Sequence, residues 1–243
     1  MNAKFLERFV KYRDIHRIEL CKYIIHQKIE NQFSIIHQRK AGLVYTSQLL
    51  QTTTIPAVLL IEARAAKQYW KIWSESVEDK ISWQGRKPHR EDVINKLLDI
   101  GYHFLSGRMV KICSDLNLPT ELGIFHIANS SAAHPLAYDF IEWLRPFVVD
   151  RTLLHFLRKK KKPILTVSEK IISHFVSLLK KEFDKLHYHR HLKYCITLDY
   201  WVRLILLEFM KVVKSGAIYH PLFPSLRHES RCRKKPPRLP VAI

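Results

Sequence analysis

Apolar side chains recur at helical spacing along nearly the whole chain. From Phe5 to Ile36 they fall at Phe5, Phe9, Ile18, Ile25, Ile29, Phe33 and Ile36, which predicts one long helix. A second helix fits Pro56 to Ser76, because proline is tolerated in a first turn, where its missing N–H has no partner to lose. The stretch KISWQGRKPHRED holds Gly85 and Pro88 and is predicted to be a loop. A third helix starts near Glu91, turns Val93, Leu97, Leu98, Tyr102, Leu105 and Val110 inward, and stops before Leu118-Pro119. Glu121 to Ala133 is irregular. A helix from Pro135 then meets Pro146, where a break or kink is expected. Thr166–Leu186 and Leu198–Val213 complete the set. No repeat and no strand alternation is found, so the predicted class is all-α, a multi-helix domain over residues 1–225. Residues 226–243, with RHESRCRKKPPRLPVAI, lack apolar periodicity and are predicted to be a mobile basic tail.

Composition agrees with a packed protein: 47% of the 243 residues are apolar, with five Trp and only six Gly. Charge adds the first hint of a partner. Forty-one Lys and Arg stand against 22 Asp and Glu, a formal net charge of +19, which favours a polyanion and nucleic acid before an anionic membrane surface. Cys21, Cys113, Cys195 and Cys232 are far apart and form no C-x-x-C pair. That argues against a thiol zinc site and a disulfide framework and suits a reducing cytoplasm. No run of eighteen apolar residues is present, so no membrane partner is expected.

The candidate chemistry lies in three stretches. Glu62 is followed by Ala63, Ala65 and Ala66, small residues that would let a helix or a nucleic-acid backbone come close; taken alone, a solvated glutamate is the ordinary reading. Asp139 and Glu142, three apart on one helical face, can converge on one ion, and Arg145 extends that face; a surface salt-bridge ladder has the same spacing. His126 follows Gly123-Ile124-Phe125, where a core histidine is the ordinary reading. His187 and His191 have the i, i+4 spacing of helical metal ligands, but no third ligand is near, so an exposed basic stretch is preferred. Lys159 to Lys162 are solvated charge or phosphate contacts. No Gly-rich phosphate loop, G-x-S-x-G elbow or H-E-x-x-H pattern occurs.

Four blocks, in order, change the balance. ARAAKQYW follows Glu62; NKLLDIGYHFL begins at Asn95; Leu122-Gly123-Ile124-Phe125-His126 comes next; LAYDFIEWLRPFVVD begins at Leu136. Tyr219-His220-Pro221 is a weaker echo near the end. Together they resemble the CRISPR-associated endonuclease family that integrates spacers during adaptation. The resemblance implies that Glu62, His126 and Glu142 hold Mg²⁺ or Mn²⁺, with Asp139 as an auxiliary carboxylate and Arg145 on a DNA phosphate. Asn95 and Tyr102 are implied to be structural or near the site.

It further implies a metal-dependent DNA endonuclease and strand-transfer enzyme. Its partners would be DNA, a second copy of the chain, and the small CRISPR-associated adaptation protein. Two carboxylates and one imidazole are a hard donor set suited to such ions, which activate water or a DNA 3′-hydroxyl against a phosphodiester. His126 must be neutral to bind metal, so activity is expected to fall in acid. Relatives carry an N-terminal β-rich domain, whereas Met1 here stands almost at the first catalytic helix. The competing expectation is therefore a basic, helical DNA-binding remnant without catalysis.

Overall fold

The computed structural model describes residues 3–79, 81, 83–126, 133–160, 162–224 and 232. The helices are α1 (Ala3–Ile35), α2 (Arg39–Leu50), α3 (Ile55–Glu75), α4 (Val93–Asp115), α5 (Pro135–Ile141), α6 (Arg151–Arg158), α7 (Glu169–Asp184) and α8 (Leu198–Ser215). A π-helical segment, Arg145–Asp150, joins α5 to α6. The all-α class holds, with one small exception.

Several helix starts follow from local chemistry. Thr54, Asp92, Ser168 and Thr197 are extended residues whose side-chain oxygens accept from Ala57 N, Asn95 N, Ile171 N and Tyr200 N, satisfying amides that the first turn leaves without partners. Gly216 ends α8 in the left-handed region at φ 75°. The expected break near Pro146 is found slightly earlier, at Glu142–Trp143, and the chain resumes as a π-helix. Proline has no N–H to give to the ladder, and the wider i→i+5 pattern accommodates that gap.

The core is continuous and rich in aromatics. Phe9, Phe33, Tyr69, Trp73, Phe140, Trp143, Phe147 and Trp201 are all fully or almost fully buried. The long helix α1 packs on α2, α3, the π-segment and α8, while α4 packs on α5, the π-segment and α7. First and last helices are thus neighbours. Phe9 meets Phe209 edge-on at 5.6 Å, and the Tyr12 hydroxyl donates to Ala217 O at 2.9 Å. His220, in the echo near the end, returns to α1 through the Tyr23 hydroxyl.

Two expectations are corrected. First, residues 186–197 form an antiparallel hairpin, β1 (Leu186–His189) with β2 (Tyr194–Thr197), paired from Leu186↔Thr197 to His189↔Tyr194. Strand geometry abolishes the helical spacing of the two histidines: His187 is buried against Phe147 and Trp201, while His191 lies exposed on the turn. Second, Cys195 and Cys232 are joined in a disulfide with Cα atoms 5.9 Å apart, fixing Cys232 to the hairpin. Their separation of 37 residues carries no pairing signal, because a disulfide reports proximity in space. Cys21 and Cys113 are buried free thiols, each pushed up to about 12 by desolvation. The predicted tail, 226–243, lies outside the described residues except for Cys232. Among the described residues, no helix is long and apolar enough to cross a membrane.

Candidate active site

Three helices and one loop meet at a cluster of charge. Glu62 comes from α3, Glu142 from the turn that ends α5, and Lys28 from the last third of α1. The Lys28 ammonium donates to Glu62 Oε1 at 2.7 Å and to Glu142 Oε2 at 2.6 Å. The two carboxylates, 80 positions apart in the chain, therefore share one cation. Their bonded oxygens can be no farther apart than those two contacts laid end to end. Arg145 closes the other side of Glu142, with Nη1 2.7 Å from Oε1. Its guanidinium lies 5.0 Å from the centre of the Tyr102 ring. Burial would raise the Glu142 carboxyl, but Arg145, Lys28 and the nearby His126 outweigh it and hold the group down to about 2. Burial acts to lower Lys28, and Glu142 and Glu62 more than reverse it, so this ammonium is held above the ordinary lysine value.

The position of Lys28 follows from the polar stripe of α1. Gln27 Nε2 donates to Asn31 Oδ1 at 3.1 Å, and Asn31 Nδ2 donates to Trp143 O at 2.9 Å. That carbonyl sits in the turn where the α5 ladder stops, so Asn31 supplies the donor the helix no longer provides. The same contact fixes the turn carrying Glu142 against α1, one helical turn from Lys28.

His126 is set by Asp139. The Asp139 carboxylate is fully buried on α5 and accepts from the amides of Ile124, Phe125 (3.3 Å) and His126 (3.1 Å), and from the His126 ring Nδ1 at 2.5 Å. Burial pushes its carboxyl up, against the His126 ring and these amides, which favour the charged form. Arg17 Nε adds a bond to Ile124 O at 2.7 Å. Both Asp139 oxygens thus face the 124–126 loop. Gly123 is required for this turn: a Cβ there would stand 2.1 Å from His126 O and 2.8 Å from Pro135 Cβ.

A second buried acid supports the site from behind. Asp150, at the end of the π-segment, accepts from Tyr69 OH at 3.0 Å and Tyr102 OH at 2.7 Å. Desolvation raises its carboxyl to about 6, although both hydroxyls favour the charged form. Gly101 allows α4 to reach this segment, since a Cβ there would meet Val149 Cγ1 at 2.4 Å. Asn95 organises the preceding loop, accepting from Lys87 N at 2.8 Å and donating to Gly85 O at 3.2 Å. Asn95 is thus structural, and Tyr102 links Asp150 to Arg145.

Glu62, Glu142 and Arg145 are therefore brought together, and His126, held by Asp139, is near enough to Glu142 to help lower its carboxyl. Lys28 was missed by sequence reasoning. Nothing set it apart in the sequence, because α1 carries charged residues along its whole length, Glu7, Arg13, Glu19 and Lys22 among them. As they stand, no three His, Cys, Asp or Glu side chains among the described residues are gathered tightly enough to hold a metal ion. The donor set nevertheless fits a hard divalent cation. Two carboxylates already share a positive charge, and the imidazole has Nδ1 engaged by a carboxylate, which leaves Nε2 as its remaining donor.

Comparison with known proteins agrees with the order of these elements. Residues 4–169 match the family described as CRISPR associated protein Cas1. The chain belongs to the Cas1 family. It is 25% identical over 183 residues to the CRISPR-associated endonuclease Cas1 1 of Archaeoglobus fulgidus, a match covering 62% of this chain and 53% of that one. The chain thus spans about half the length of this Cas1 relative. Among solved structures, it is similar to a casposase bound to an integration product: TM-score 0.76, 20% identity, 89% of this chain and 67% of that chain. It also superposes on a chain of a Cas6-RT-Cas1–Cas2 complex with TM-score 0.74 at 18% identity, covering 91% of this chain and 27% of the other. At these identities, the two structures show a shared fold.

Proposed function

We propose that this chain carries the catalytic centre of a metal-dependent DNA endonuclease and strand-transfer enzyme of CRISPR adaptation. The observation that carries the reading is the meeting of Glu62 and Glu142 on the Lys28 ammonium, with Asp139 holding His126 near enough to act on Glu142. Membership of the Cas1 family and the names of its relatives support it. Mg²⁺ or Mn²⁺, held by Glu62, Glu142 and His126, would polarise a phosphate oxygen and favour attack by water or a DNA 3′-hydroxyl.

The protein's own groups do the rest. Asp139 keeps the proton of His126 on Nδ1 and fixes the ring plane, which leaves Nε2 as the nitrogen with a lone pair to offer an ion. Asp139 is thus an orienting partner of His126, where sequence spacing put it beside Glu142 on the ion. Arg145 holds Glu142 in place and is half-exposed, so a DNA phosphate can reach its guanidinium. The attacking group comes from water or from the substrate, so no nucleophilic side chain is needed. DNA is the expected ligand. A second copy of the chain and a small adaptation protein are the expected assembly partners, in keeping with the Cas1–Cas2 complex of similar fold.

Cleavage of a branched duplex with Mn²⁺, measured beside DNA binding in EDTA, tests this reading. His126→Ala and Glu142→Ala should each lose more than about 100-fold in cleavage, since loss of outer-shell partners alone costs 10–100-fold, while binding changes little. Arg145→Ala should weaken both. Equal cleavage by the parent and His126→Ala would leave only a DNA-binding protein of this fold.

A further inference from the structure

The Lys28 ammonium stands where a divalent ion would have to go. Glu142 offers two oxygens to this site; Oε1 is taken by Arg145 and Oε2 by Lys28, which also holds Glu62 Oε1. A hard divalent ion sits about 2.1 Å from its oxygens, inside the 2.6–2.7 Å shell that the ammonium occupies. Both cations cannot share that space. The charges also balance as they are, with Lys28 and Arg145 facing Glu62 and Glu142, so the site offers no surplus negative charge to draw in an ion. Remove Lys28, and the two carboxylates face each other with only Arg145, on the far side of Glu142, to offset them.

We propose that Lys28 is a resident counter-cation that holds Glu62 and Glu142 together in the metal-free protein, and that a divalent ion enters only by displacing its ammonium. This rests on the metal-centre reading above and adds a gate to it. Lys28 is suited to the role in two ways. Its side chain is 13% exposed, so its place between the carboxylates is fixed by packing. Its backbone is held by the Gln27–Asn31–Trp143 O chain, so the α1 helix need not move when the ammonium does. Four methylenes of stem let the charged end swing while the helix stays still. Lys28 is thus a positioning residue. It sets the spacing of the two carboxylates before the ion arrives and lowers the affinity with which the ion is taken up.

Two measurements test the gate without relying on activity. In the first, Mn²⁺ binding is followed by electron paramagnetic resonance on the parent and on Lys28→Met, which keeps an unbranched side chain one atom shorter and removes its charge. The variant should bind Mn²⁺ about tenfold tighter or better, the low end of the coupling found for close charge pairs. It should also melt at a lower temperature than the parent without metal, with a larger rise on adding Mn²⁺. In the second, the parent is labelled with a lysine-acylating reagent and the modified sites are read by mass spectrometry. Lys28 should be protected without metal and become reactive at saturating Mg²⁺, while Lys111, 74% exposed, serves as an unchanging control.

Should Lys28→Met fail to fold, the labelling of the parent decides alone. Mn²⁺ bound by the parent but no more tightly by the variant, or Lys28 labelling indifferent to Mg²⁺, overturns the displacement and leaves the metal centre standing. No Mn²⁺ bound by either protein overturns the metal centre itself, and the gate with it.

Discussion

Gly123 shows how little freedom the His126 loop has. A methyl group there would run into backbone, His126 O, and into the Pro135 ring, so one of them must move. Gly123→Ala should therefore lower stability by about 1–3 kcal/mol, the usual cost of overpacking, and displace the His126 ring from Asp139. Chemical denaturation and the ¹⁵N chemical shifts of the imidazole would report both; an unshifted imidazole would show that the loop can absorb the methyl. At this scale, the site was legible where the motif blocks ran. The blocks marked Glu62, His126, Glu142, Asp139 and Arg145, and all of them lie at or against one cluster. Lys28 was not legible because a lysine in a helix is ordinarily a solvated charge. Its burial is caused by α3 and the turn after α5 closing on α1, which no local pattern in α1 records. The role of Asp139 was hidden for the same reason: spacing places it on the face of Glu142, but the three amides that claim its oxygens belong to a loop far from it in sequence.

At the scale of elements, the π-segment links chemistry to packing. It brings Asp150 against Tyr69 and Tyr102, and Tyr102 in turn backs Arg145. Asp150 is raised from 3.8 to about 6, so the folded state favours its protonated form. A raised carboxyl stabilises below its unfolded value, and that contribution is lost as pH climbs through its folded one. Between about pH 4 and pH 6.5, the parent should lose about 2 kcal/mol relative to Asp150→Asn, which stays neutral throughout. Denaturant unfolding of both proteins across that range tests it, and a pH-independent difference would show that Asp150 is not desolvated as the packing implies. The long helices were legible from periodicity and caps. α2 was not: Leu43, Val44 and Leu50 are exposed, Gly42 and Thr46 are buried, and no side chain caps its start. The β1–β2 hairpin was hidden by its histidines, since His187 and His189 fill inward positions where apolar residues would have signalled alternation.

At the scale of the whole molecule, charge would govern the proposed encounter with DNA. A net charge of +19 should give binding that depends little on sequence and weakens steeply with salt, by about 0.9 in the log–log slope for each phosphate neutralised. Deleting residues 227–243 removes six Lys and Arg and should flatten that slope, measured by fluorescence anisotropy over a salt series. An unchanged slope would place the phosphate contacts on the helices alone. The neighbourhood of α1 and α8 has a different consequence. Arg8 reaches Lys214 O and Tyr12 reaches Ala217 O, so residues more than two hundred positions apart in the chain lie side by side. Lys28 in α1 therefore owes its place to the last helix as much as to its sequence neighbours. A circularly permuted chain, with a linker from residue 224 to residue 3 and its ends reopened between α6 and α7, would retain the contacts of Lys28 with Glu62 and Glu142. The architecture that closes the charge cluster is indifferent to which of its helices is made first.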